Sequence, residues 1–169
     1  MVTYMAEEKE KIYVAFDPGV TTGWATFFED GRLREFGQVL FSELMDLCHT
    51  LIEHYEVIHV IYEDYRIFAH KAHAHVGSRV PTVQAVGVIK ASFMAKQIPI
   101  TMQPSNILPI AEKWTQTKIP SDHSKSHQVS AFLHGSYYLI KNGLKLSELQ
   151  LKMKEQQDTT EPPAPFQIP

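Results

Sequence analysis

Residues 11–28, KIYVAFDPGVTTGWATFF, hold two short apolar runs joined by a turn, and an acid closes the first run. Ile12 to Phe16 is β-branched, aromatic and apolar, which reads as a buried strand. Asp17 ends it, Pro18-Gly19 punctuates the chain, and Trp24 to Phe28 begins again as a second strand. The local reading leaves two roles for Asp17. It can cap the Pro-Gly turn, or it can stand at a strand end as a carboxylate able to hold a metal.

The elements that follow narrow the architecture. Asp30-Gly31 suits a tight turn with positive φ, so residues 33–40 are expected as a third strand, completing an antiparallel meander. Ser42 is placed as an N-cap for a helix running to Tyr55, with Leu44, Leu47, Cys48, Leu51 and Ile52 on one face. Val57 to Tyr62 is the next strand and ends in Glu63-Asp64. Alternation sends those two acids to opposite faces, so at most one joins Asp17.

Downstream, residues 66–80 read as a polar surface loop rich in histidine. No cysteine and no helical i, i+4 histidine pair accompany it, which argues against zinc. Lys71 and Arg79, with Tyr65 and Phe68, are candidates for phosphate contact. Pro81 opens a helix through Met94, in which Gly87 is expected at a close approach to another helix, in this chain or a partner subunit. A short strand covers residues 98–102, with its proline marking an edge or a strand start. A small helix covers residues 104–114, a polar loop 118–125, and a helix 126–141 closed by Asn142-Gly143. Residues 144–154 read as one more exposed helix, and 161–169 as a proline-rich disordered tail. The organisation expected is thus a flexible stretch 1–10, a single domain 11–143 and a C-terminal helix and tail 144–169.

Asp-Pro-Gly-x-Thr-Thr-Gly-Trp-Ala after an apolar strand resembles the first strand of the RuvC-type Holliday-junction resolvases, within the ribonuclease H-like nucleases, and especially their short phage-encoded versions. Actin-like sugar kinases carry a similar Asp-x-Gly-Thr-Thr loop, but they need two such domains and this chain is too short. The resemblance extends over residues 11–143. It implies an α/β, ribonuclease H-like fold: a mixed five-stranded sheet, first an antiparallel meander and then parallel strands, flanked by helices. It also implies a Mg²⁺- or Mn²⁺-dependent endonuclease with two ions, branched DNA as substrate and a homodimer.

The same resemblance assigns residues. Asp17 and Glu63 match two metal ligands at strand ends. In resolvases of this type the last helix carries an Asp or His, then an Asp three residues later followed by Ala. His127 matches the first position, and Ser130 stands where the Asp is expected. His127 is therefore the third expected catalytic and metal-binding residue, and Lys125 a phosphate contact. His127, Ser130 and His134 share one helix face at i, i+3, i+7. A neutral hydroxyl is a poor ligand for a hard cation. Asp122 could supply the missing charge, the site could work with Asp17, Glu63 and His127 alone, or the chain could be a silenced nuclease that still binds junctions.

Composition sets the remaining bounds. The 169 residues allow one domain with a full core. A net charge of -3 gives no bulk electrostatic grip on DNA, although nine histidines can add charge at lower pH. There is no long apolar segment for a membrane, and the acidic start, MVTYMAEEKEK, lacks the apolar core of a signal peptide. One cysteine, Cys48, precludes an internal disulfide and fits a reducing cytoplasm, bacterial or phage-infected.

Overall fold

The computed structural model describes residues 8–64 and 80–143. Strands β1 (Lys11–Asp17), β2 (Thr21–Phe28) and β3 (Leu33–Leu40) form the expected antiparallel meander. Gly31, at φ 88°, makes the β2–β3 turn, as Asp-Gly predicts. Helix α1 (Leu44–His54) then leads to β4 (Glu56–Glu63), which pairs parallel with β1. Helix α2 (Pro81–Met94) leads to β5 (Ile100–Gln103), parallel to β4. Helices α3 (Leu108–Thr115) and α4 (His123–Lys141) follow. The strand order is β3-β2-β1-β4-β5, a mixed sheet of five strands flanked by four helices among the described residues.

Alternation along the buried strands divides the core in two. Ile12, Val14, Phe16, Trp24, Val60 and Tyr62 face α1 and α2. Ala15, Ala25, Phe27 and Ile61 face α3 and α4. Small residues bring α4 down onto the sheet: a Cβ on Gly135 would run into the ring of Phe27, and one on Gly23 into the carbonyl of His127. A helix this close can place its side chains directly over strand ends.

Several local details differ from expectation. Ser42 lies inside a 3₁₀ turn, Phe41–Glu43, and it is Glu43 whose carboxylate accepts the Leu40 N–H at 3.0 Å. Helix α4 starts three residues earlier than its apolar periodicity suggests, because Asp122 caps it and accepts the Ser124 N–H at 2.9 Å. Gly87 is exposed, and no other helix among the described residues of this chain comes within 4 Å of where its Cβ would be. Strand β5 runs on to Gln103, one residue further than expected. The N-terminal stretch to residue 7, residues 65–79 with Tyr65, Phe68, Lys71 and Arg79, and the C-terminal segment from 144 lie outside the described residues. No helix among the described residues is long and apolar enough to cross a membrane.

Candidate active site

The turn after β1 is tied by Thr22, not by Asp17. The buried Thr22 hydroxyl accepts the Gly19 N–H and donates to the Gly19 carbonyl, both at 3.3 Å. Asp17 lies at the strand end, on the face covered by α4. Strand β4 runs parallel beside it, and one step beyond the Phe16–Tyr62 pair lies Glu63. Ile61 faces α4, so Glu63 does too, and Asp64 takes the other side.

The register extends this pair into a row. Asp17 pairs with Gly23, Gly23 with Gln38, and on the far side Glu63 pairs with Gln103. Five strands thus contribute one residue each at the same level, in the order Gln38, Gly23, Asp17, Glu63, Gln103. Helix α4 lies along this row. Strands are about 4.8 Å apart, so Asp17 and Gln103 are separated by about 10 Å. His127 and His134 are about 10 Å apart along the helix axis. That match lets one helix face meet both acids and the glutamine beyond them.

The contacts follow from it. Gln38 donates its Nε2–H to the Ser124 carbonyl at 2.7 Å and accepts the N–H groups of His127 and Gln128 at 3.1 and 3.2 Å. Nδ1 of His127 bonds Oδ2 of Asp17 at 2.9 Å. The Ser130 hydroxyl donates to Oε2 of Glu63 at 3.3 Å, and Nε2 of His134 meets the same oxygen at 3.3 Å. Nδ1 of His134 bonds Oε1 of Gln103 at 2.9 Å. The His134 side chain is wholly buried, Asp17 and Glu63 are mostly so, and His127 remains 39% exposed.

Burial, reinforced by the charge of Glu63, raises the Asp17 pKa against the lowering effect of His127. Burial alone would also raise Glu63. Hydrogen bonds from His134, Asp17 and Ser130, with the charge of His134, outweigh it and hold Glu63 below the usual value. The hydrogen bond to Asp17 raises His127, against the smaller effect of its own burial. The site thus pushes the two carboxyls in opposite directions, Asp17 up and Glu63 down.

Of the expected site residues, the fold brings together Asp17, Glu63, His127, Ser130 and His134. Asp122 stands apart at the cap of α4, with its carboxylate on the N–H and hydroxyl of Ser124 at 2.9 and 2.6 Å. Lys125 is exposed on the first turn of α4. Gln38 and Gln103 escaped the sequence reading, and Gly23 entered it only as part of the turn motif. Only pairing register aligns them with the acids, and no local pattern carries it. Among the described residues no three His, Cys, Asp or Glu side chains form a group arranged to hold a metal ion. The histidines instead bond the carboxylates.

No protein-family model matches the sequence, and no curated protein matches it. Solved structures do match the fold. Thermus thermophilus RuvC in complex with Holliday junction substrate aligns with a TM-score of 0.58 at 11% identity, over 79% of this chain and 96% of that one. A second T. thermophilus RuvC structure aligns at 0.54 and 12% identity, over 79% and 98%. The yeast mitochondrial Holliday junction resolvase Ydc2 aligns at 0.50 and 11% identity, over 90% and 87%. The likeness at this identity is one of fold: the ribonuclease H-like, RuvC-type arrangement.

Proposed function

We propose that this chain, built on the ribonuclease H-like fold of the RuvC resolvases, is a divalent-metal-dependent endonuclease that cuts branched DNA. The observation that carries the reading is the convergence of Asp17, Glu63 and His127 at the ends of two adjacent central strands and the helix laid over them.

The donor set fits one divalent ion. Two mostly buried carboxylates lie side by side, and burial, with the charge of Glu63 added, raises Asp17. A bound cation would offset the charge of both carboxylates, and Mg²⁺ is commonly held by one or two carboxylates with waters completing its shell. The second ion expected from the resemblance would have only His127 and the neutral hydroxyl of Ser130. When bound, such an ion polarises the phosphate and the attacking water.

The chain's own groups supply the rest. Asp17 and Glu63 would hold the ion. Asp17 also fixes the His127 ring through Nδ1, which leaves Nε2 to take the proton of the water as general base. The water oxygen bonds to phosphorus, and the bond from phosphorus to the leaving sugar oxygen breaks. Lys125, and Lys71 and Arg79 from residues 65–79, contact flanking phosphates. A homodimer would present two such sites to opposed strands, in the cytoplasm of a bacterial or phage-infected cell.

A second reading is favoured by one observation. Each carboxylate is already matched to a histidine, and Ser130 adds no charge. That pattern fits a junction-binding protein with weak or no turnover. Cleavage of a labelled four-way junction, with linear duplex as control, separates the two. Paired nicks in Mg²⁺ or Mn²⁺, lost in EDTA and in Asp17→Asn, establish the nuclease. Binding without cleavage, with cleavage gained in Ser130→Asp, establishes the silenced form.

A further inference from the structure

We infer that Gln103 and His134 are positioning residues for Glu63, a buried relay that sets which carboxylate oxygen is presented beside Asp17. The inference rests on Asp17 and Glu63 being the metal-binding pair.

Three observations support it. First, the relay is built from polar groups in a place that asks for none. His134 is fully buried and Gln103 is 5% exposed, on the face where Ala15, Ile61 and Phe132 form the core. Buried polar groups must be paired, and an apolar pair of the same shape would hold helix to sheet as well. Second, the bonds form a directed chain. Oε1 of Gln103 can only accept, so it fixes the proton on Nδ1 of His134 at 2.9 Å and thereby the plane of the ring. The ring then points Nε2 at Oε2 of Glu63, 3.3 Å away. Third, the Ser130 hydroxyl meets that same oxygen at 3.3 Å. Ser130 and His134, one helical turn apart, both meet Oε2, leaving Oε1 uncommitted to either. A glutamate with three free torsions is thus reduced to one orientation.

Gln103 is the clearest handle, because its side chain hydrogen-bonds to His134 and to neither carboxylate. Gln103→Met keeps its shape and removes the acceptor. Gln103→Glu keeps an acceptor oxygen. The double substitution His134→Leu, Gln103→Leu removes the relay and leaves an apolar contact. The readouts are thermal stability, Mn²⁺ affinity by calorimetry, and junction cleavage in saturating Mn²⁺.

Removing an outer partner of a ligand typically weakens metal binding about 10–100-fold. The expectation is that Gln103→Met loses about 10-fold in Mn²⁺ affinity and Gln103→Glu stays within about twofold of the native chain. The double variant should melt no lower than the native protein and bind Mn²⁺ at least about 10-fold more weakly. Native Mn²⁺ affinity in both Gln103→Met and the double variant overturns the relay and leaves a satisfied core pair. Absence of Mn²⁺ binding in the native chain overturns it as well, since there is then no ligand to orient. A native chain that binds Mn²⁺ through Asp17 but cuts no junction refutes the nuclease reading alone. The affinity series then still decides the relay.

Discussion

Nδ1 of His127 lies 2.9 Å from Oδ2 of Asp17, across 110 residues of chain. The bond exists because two other features bring the helix down. Gly23, the cross-strand neighbour of Asp17, has no side chain where the His127 carbonyl rests. Gln38, the next residue in the row, holds the His127 and Gln128 N–H groups. The site is thus a property of the helix–sheet contact as much as of the carboxylates.

Asp17→Asn should separate activity from stability. It removes one of two crowded, buried acids, so the carboxyl whose pKa burial has raised no longer opposes folding. Junction cleavage is expected to fall by about 10²-fold or more, while the melting temperature stays level or rises. Parallel cleavage assays and thermal unfolding in EDTA check both halves. A marked loss of stability would contradict the crowding argument.

Gly23→Ala and Gln38→Ala both attack the seat of α4, by different routes. The new methyl at residue 23 collides with backbone, which cannot rotate away, so a loss of about 2 kcal/mol or more is expected. Gln38→Ala deletes three hydrogen bonds at a half-buried position and should cost about 2 kcal/mol. Urea unfolding measures each. Both variants should also cut junctions more slowly, since His127 leaves its place over Asp17.

His127 makes stability depend on pH in a definite direction. Its pKa is raised by Asp17, so the folded chain holds that proton more tightly than the unfolded one. The stabilisation is complete below the ordinary histidine value of 6.5 and is lost as pH rises through the raised value. His59, pushed down by burial, works in the opposite sense and is common to native chain and variant. The gap in urea midpoint between the native protein and His127→Gln, in EDTA, should therefore shrink from pH 6 to pH 9.

Cys48 should be silent to thiol reagents in the folded protein. It is buried between α1 and the sheet, and burial pushes its thiol up to about 12 despite a hydrogen bond from Ser92. A disulfide reagent at pH 8 should modify it only as fast as the chain opens, with full reaction in denaturant. Fast labelling of native protein would place Cys48 at a mobile surface.

The one-dimensional pattern was enough for the meander, the helix Leu44–His54, the strand ending at Glu63 and the polar face shared by His127, Ser130 and His134. These depend on periodicity, turn chemistry and propensity, all of which are local. The fold class came from the resemblance carried by the Asp17 strand and turn, and the likeness to solved RuvC structures agrees with it. The start of α4 was misjudged because Asp122, a cap, looks in sequence like any loop acid. Which residues meet one another depends on the packed fold. Strand β4 is buried on both faces, so its sequence does not say whether Glu63 or Asp64 turns toward Asp17. Gln38, Gly23 and Gln103 become part of the site only through register, a relation between strands that no single strand encodes. The pairing of His127 with Asp17, and of His134 with Glu63, follows from laying a helix of 1.5 Å rise across strands about 4.8 Å apart.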